Sequence, residues 1–285
     1  MRRDRGFLRS IPFTSHEYAS IVQTNYPGAH DDAYRGRVRA LVGQSESAWP
    51  NCPRYDYLPE EHETWRLVSR ILVLLQERYS CRPFLEGRER LALPIDQLPQ
   101  LDDVSALMEA HTGFMLAPVG GLLEKGEFLS MLANRVMRCT PYIRHASYPF
   151  FTPEPDIVHE LRGHAPMFMY EPFVEMSVRI GQAAARAVER KDDALLNLIG
   201  LFYWYTVEYG LVKEGNEVRI FGAGNNGGIQ DLLRSVDPVV ERRPFDLDAI
   251  RELSIDYDSP QHIFFVAESF DQVVDLSEQL MRLSG

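Results

Sequence analysis

The sequence predicts a mostly α (α+β) domain in which long helices surround one core and only a few short strands occur. Three observations predict this class. Apolar residues recur at helical spacing in several long stretches, Trp65, Val68, Leu72 and Leu75 among them. Runs with strand character are short and fall late in the chain, at VRIF and IFFVAESF. A length of 285 residues, 45% hydrophobic and 25% charged, suffices for one large core and is an ordinary globular composition. Residues 1–285 are read as a single domain, with 1–50 as an N-terminal arm.

In chain order, a short helix is expected from Thr14 and another over DDAYRGRVRALVG, before a turn-rich passage around Pro50, Pro53 and Pro59. Glu60 to Tyr79 form a helix, and Leu67, Ile71 and Leu74 widen its apolar stripe until it is expected to be largely buried. Asp102 suits the N-cap of a helix in DDVSALMEAH, and Gly113 suits its end. The pair Gly120 and Gly121 lets backbone approach a flat ligand, although such a pair is more often a plain turn. A helix then runs to about Arg138.

Beyond the centre, PFVEMSVRIGQAAARAVERK is an amphipathic helix, and the run from Leu195 to Val212 is apolar but for Glu208. The tail holds VRIF, the glycine-rich FGAGNNGG, a short helix IQDLLRSV, the strand IFFVAESF and a final amphipathic helix to Leu283. GAGNNG lacks the βαβ context of a dinucleotide loop, so nucleotide binding is discounted.

A formal charge of −11 and a pI near 5.2 disfavour nucleic acid or an anionic membrane as the main partner. Cys52, Cys81 and Cys139 are odd in number and far apart, which is neither a disulfide framework nor a thiolate zinc site and implies a reducing cytoplasm. MRRDRGFLRSIPF lacks the apolar run of a signal peptide, and no window approaches the ~18 apolar residues of a membrane span. A cytoplasmic enzyme with a small-molecule substrate is the expectation.

The densest chemistry lies in FFTPEPDIVHELRGHAPMF, which carries His159, His164, Glu154, Asp156 and Glu160. Histidines five apart lie about 140° apart on a continuous α-helix, at roughly 100° per residue. They can share an ion only if the helix ends between them, and Gly163 and Pro166 are the residues that would end it. Two ordinary histidines at a helix end are the other reading.

Glu208 is expensive to bury as an unpaired charge, a cost that coordination to a cation removes. Trp204, one turn earlier, would share its face. Two histidines and a carboxylate suit iron(II), filling one face of an octahedron and leaving sites for oxygen and substrate. Zinc in a hydrolase is the rival, although no H-E-x-x-H occurs. Arg144, in CTPYIRHAS, is either a surface charge or, entering such a pocket, a bidentate grip on a carboxylate.

TPEPDIVHELRGHAPMF, TVEYGL, RCTPYIRHAS, FGAG, PVGGLL, IDQLPQLDDVS and FFVAESF closely resemble, in the same order along the chain, segments of the pterin-dependent aromatic amino acid hydroxylases. The likeness runs from about residue 50 to about residue 275. It implies that family's mostly helical catalytic fold and a monooxygenase acting on the ring of a free aromatic L-amino acid. Phenylalanine is the first substrate implied, with tryptophan, tyrosine or another ring position as alternatives.

The resemblance further implies iron(II) on His159, His164 and Glu208, with O2 consumed, and a tetrahydropterin against Phe128 and the backbone of Gly121, Leu122 and Leu123, near Glu160 and Tyr203. The amino acid's carboxylate would pair with Arg144, assisted by Thr152 and Asp156, and its ring would lie by Trp204, with Gly224, Gly227 and Gly228 in the same pocket. Two features depart from the family. Arg162 stands where an apolar residue is usual, and Gly227 and Gly228 stand where relatives commonly carry serines, which predicts a space of a few heavy atoms and broader substrate tolerance. The animal enzymes' N-terminal regulatory domain and C-terminal oligomerisation helix have no counterpart here, which leads to the expectation of a monomer.

Overall fold

Local capping rules account for many helix boundaries in the computed structural model, which describes residues 5–14, 25–255 and 260–285. The short helix expected from Thr14 falls on residues 15–24, outside the described residues. Helix α1 is Pro27–His30, and α2 (Asp32–Ala48) starts where the Asp31 carboxylate accepts the Tyr34 N–H. Helix α3 (Pro59–Tyr79) begins on a proline, and Glu61 reaches back to the Leu58 N–H at 2.7 Å. Helix α4 is Arg82–Leu91. Helix α5 (Leu101–Thr112) ends at Gly113, as expected, but Gln100 is its N-cap and Asp102 lies inside the first turn.

Helix α6 (Lys125–Met131) and the 3-10 turn Leu132–Asn134 stop short of Arg138, contrary to expectation. Arg135 turns left-handed at φ 55°, and the next residues are claimed by a distant partner: β2 (Val136–Cys139) pairs in parallel with β1 (Met115–Pro118). Helix α7 is Glu171–Arg190, and α8 (Asp193–Tyr203) is capped by Asp192. The apolar run then leaves the helix. β3 (Leu211–Glu214) forms a hairpin with β4 (Glu217–Ile220) through Gly215 at φ 62°. With β5 (Glu241–Pro244) and β6 (Ile263–Ala267) these make a sheet of order β4-β3-β6-β5.

Helices α9 (Ala223–Gly227), α10 (Ile229–Val236), α11 (Leu247–Arg251) and α12 (Phe270–Leu283) complete the chain. The main core runs from Val38 in α2 to Leu280 in α12. Helix α3 is less buried than its pattern predicts, with Leu67 and Leu74 46% and 74% exposed. At about 100° per residue both lie on the side away from Trp65 and Leu72, which fill the core. Among the described residues no helix is long and apolar enough to cross a membrane.

Two segments are π-helical, His159–His164 and Trp204–Glu208. The Ala165 N–H donates to the Glu160 carbonyl at 3.0 Å and the Tyr209 N–H to the Trp204 carbonyl at 2.9 Å, the i→i+5 pattern. One extra residue per hydrogen-bonded ring brings residues five apart over one another, roughly as residues four apart meet in an α-helix. The helix therefore does not end between the histidines. Gly163 serves a different purpose: a Cβ there would stand 2.6 Å from the Ala223 carbonyl oxygen, so glycine admits the α9 backbone. Pro166 opens the 3-10 turn Met167–Met169. Within the glycine-rich GAGNNGG, residues 223–227 are the buried helix α9.

Candidate active site

The wide turn sets the Nε2 atoms of His159 and His164 3.0 Å apart. Glu208, closing the second π segment, brings Oε1 to 3.1 Å from His164 Nε2 and Oε2 to 3.5 Å from His159 Nε2. All three line a cavity of about 730 Å³. Burial pushes the His159 pKa down to about 4. Burial works to raise that of Glu208, but the two imidazoles outweigh it and hold the carboxyl at about 2. A neutral His159 and an ionised Glu208 are the protonation states that metal ligation needs. Two metal–ligand bonds of about 2.1 Å span about 3.0 Å at a right angle and about 3.4 Å at the tetrahedral angle, so these donors fit a first-row ion without repacking.

Glu160 also falls into a compact group with the two histidines. It is the poorer ligand. Its Oε1 accepts from the Thr140 N–H at 3.3 Å and hydroxyl at 3.4 Å, and burial lifts its pKa to about 8. Its Oε2 is buried with no partner among the described residues, so a cavity ligand can supply one. On this side Phe128 meets Tyr203 edge-on at 5.4 Å, and Gly121, at φ 138°, begins a bare stretch of backbone with Leu122 and Leu123 on the cavity wall. A flat heteroaromatic ring suits this wall.

Arg144 is 1% exposed and forked onto Asp156, Nε to Oδ2 at 2.8 Å and Nη2 to Oδ1 at 2.6 Å. Asp156 Oδ1 also accepts the His159 N–H at 3.1 Å, and Oδ2 the Arg144 N–H at 2.8 Å. Asp156 is thus fully engaged by the protein, and any assistance it gives a substrate carboxylate runs through Arg144. It holds the arginine. Arg144 Nη2 donates to the Gly227 carbonyl at 3.1 Å, while Nη1 has only a 3.5 Å contact to Pro149 and is the least committed donor. Thr152 donates to the Glu154 carbonyl at 2.7 Å, and Trp204, bonded to Gln261 at 3.0 Å, lies over Tyr209 at 4.8 Å between centroids.

The space expected at Gly227 and Gly228 is absent. A Cβ on Gly227 would stand 2.7 Å from His159 Cα, and one on Gly228 would stand 2.6 Å from Asp231 Oδ2. Gly224 is similarly pressed on the Tyr209 ring, at 2.9 Å. Close packing, rather than a vacancy, occupies these positions.

Sequence reasoning missed the polar bracing behind the histidines. Gln76 donates to the carbonyls of Arg162 and Asn226 at 3.1 and 2.9 Å, and Ser80 donates to Asn226 Oδ1 at 2.6 Å. Arg162 is buried over the Trp65 ring at 4.6 Å and donates to Ser69 and the Pro94 carbonyl, with burial lowering its pKa to about 10. The signal was available: Ser69 and Gln76 interrupt the apolar face of α3 where Val68 and Leu72 fill the core. Asp231 and Arg138 also line the cavity and gave no spacing signal, and Glu154, singled out in the sequence, lines it too. Arg138 is buried over the Trp49 ring at 4.5 Å with no hydrogen bond from its guanidinium among the described residues.

Comparison with known proteins gives one family. The sequence profile described as "Biopterin-dependent aromatic amino acid hydroxylase" matches residues 11–282. Tyrosine 3-monooxygenase of Canis lupus familiaris is 40% identical over 261 residues, 89% of this chain and 52% of that protein. Phenylalanine-4-hydroxylase of Rattus norvegicus is 37% identical over 263 residues, 89% and 56%. The chain thus spans about half the length of these relatives. Phenylalanine hydroxylase from Chromobacterium violaceum, solved with bound iron(III) and oxidised cofactor 7,8-dihydrobiopterin, superposes with a TM-score of 0.74 at 30% identity, covering 80% of this chain and 82% of that one. The apo enzyme from Colwellia psychrerythraea 34H gives 0.73 at 25% identity, covering 81% and 90%.

Proposed function

The chain belongs to the biopterin-dependent aromatic amino acid hydroxylase family, and we propose that it hydroxylates the ring of a free aromatic amino acid, phenylalanine first, at an iron(II) held by His159, His164 and Glu208. One observation carries the reading: two imidazole nitrogens and a buried carboxylate face one another across 3.0–3.5 Å on the wall of a cavity that also holds Arg144 and Trp204. The iron and dihydrobiopterin of the C. violaceum enzyme support iron over zinc and a reduced pterin as cosubstrate. The zinc-hydrolase alternative draws no support from the relatives named above. Residues 1–285 are read as one catalytic domain, in keeping with a core that runs from α2 to α12.

Iron(II) and tetrahydropterin, when bound, supply the activation of O2 for attack on the aromatic ring. The chain's own residues bind, orient and exclude water. Phe128 offers the pterin a stacking face beside the 121–123 backbone, and Glu160, whose pKa burial raises, offers a carboxyl beside it. Arg144, fixed by Asp156, offers Nη1 to the amino acid's carboxylate. Trp204, held by Gln261, gives the substrate ring a flat wall.

Trp204 and the phenylalanine hydroxylase neighbours favour phenylalanine, while tyrosine is the second reading because tyrosine 3-monooxygenases are similarly close in sequence. Product analysis with phenylalanine, tyrosine and tryptophan, each with iron(II) and tetrahydropterin, decides. Tyrosine formed from phenylalanine is the expected result, and turnover of tyrosine alone would replace it.

A further inference from the structure

One acidic side chain on the cavity wall has no task in the reaction described so far. Asp231 sits in the first turn of α10 and lines the cavity with Gly227, Gly228, Gln230 and Arg144. No described residue donates a hydrogen bond to its carboxylate, although Arg144 and Asp231 each feel the other's charge. Burial raises its pKa to about 6, against the pull of Arg234 and Arg144, so it is ionised in mildly alkaline solution. Its position depends on Gly228, three residues earlier, since a Cβ there would stand 2.6 Å from Oδ2. A half-buried carboxylate on a cavity wall with no protein donor suits a ligand that brings one.

The charges say which ligand fits. Asp156 already neutralises Arg144. A ligand carboxylate arriving alone would join two anions, Asp156 and Asp231, beside Arg144, with Arg234 the other cation that Asp231 feels. An α-amino acid brings an ammonium on the adjacent carbon, which gives Asp231 the donor it lacks. We propose that Asp231 binds the α-ammonium group of the substrate, so that Arg144 and Asp231 together select a zwitterionic amino acid. The inference deepens the proposed function and rests on it. It gives Gly228 a purpose: a side chain there would displace the carboxylate.

Calorimetric titration of the iron-loaded protein, anaerobic and without pterin at pH 7.5, tests this with L-phenylalanine and with 3-phenylpropanoate, which keeps the ring and carboxylate but lacks the amine. Wild type is expected to bind phenylalanine at least about tenfold more tightly, the scale of one charge-assisted contact. Asp231→Asn should weaken phenylalanine by a similar factor and leave 3-phenylpropanoate unchanged or tighter. Its KM for phenylalanine should rise far more than kcat falls. Gly228→Ala, which pushes the carboxylate aside while keeping it, should produce the same selective loss. If Asp231→Asn, with an unchanged unfolding temperature, weakened both ligands alike or neither, the inference would be overturned and the proposed function would stand. If wild type bound neither ligand, the reading of the cavity as an amino acid site would itself fail.

Discussion

Gly227 lies against the backbone of His159, so close that a Cβ would stand 2.7 Å from the His159 Cα and 3.2 Å from its carbonyl oxygen. With Gly163 facing the Ala223 carbonyl, two backbone segments meet directly, and that contact sets where a candidate iron ligand sits. Gly227→Ala is expected to cost about 1–3 kcal/mol through overpacking and to lower the iron retained after gel filtration. Unchanged thermal unfolding and iron content would contradict this.

Asp156 and Arg144 form an ion pair with side chains 0% and 1% exposed. Asp156→Asn leaves a buried guanidinium without its counterion and weakens the acceptor for the His159 N–H. A loss of about 3–5 kcal/mol in urea unfolding is expected. Arg144→Lys is expected to lose activity more than stability, because an ammonium cannot serve Asp156 and a substrate carboxylate in fork geometry.

Glu154 gives a pH signature. Burial raises its pKa from 4.5 to about 7, opposed by the 3.3 Å hydrogen bond from the Tyr142 hydroxyl. Between those values the folded chain holds a proton that the unfolded chain has released, so this group's contribution to stability falls as pH rises through the window. Glu154→Gln carries no such dependence. Relative to wild type it should gain stability from pH 5 to pH 8, by up to about 3 kcal/mol, and gain no more above. A pH-independent difference between the two in urea unfolding would count against the assignment.

Phe128 is expected to stack on the pterin. Phe128→Ala should weaken tetrahydropterin binding by about 1 kcal/mol, read by anaerobic calorimetric titration in the absence of amino acid. Equal affinity in the variant would remove Phe128 from that wall.

Much of this molecule was legible in its sequence because much of it is local. Helices α3, α7, α10 and α12 follow from apolar spacing, and Gly113 marks the end of α5. The helix expected through Arg138 failed because β2 answers to β1, some twenty residues earlier, and pairing at that range leaves no mark in local periodicity. The spacing of His159 and His164 correctly ruled out a shared ion on a continuous α-helix, but a shift to i→i+5 bonding resolves the conflict without a helix end. Glycine was the most ambiguous letter: at 163 and 227 it marks backbone against backbone, where the sequence suggested a terminator and a vacancy. Asp231 looked like any acidic residue in a first helical turn until the cavity gave it a neighbour in Arg144.

The most direct test is oxygen uptake by the iron-loaded chain with phenylalanine and tetrahydropterin, run beside Glu208→Ala with bound iron determined in both. The wild-type chain is expected to hold stoichiometric iron and to show uptake that needs the reduced pterin and matches tyrosine formed, with both iron and uptake lost in the variant. Iron and uptake retained in Glu208→Ala, or product formed without reduced pterin, would contradict it.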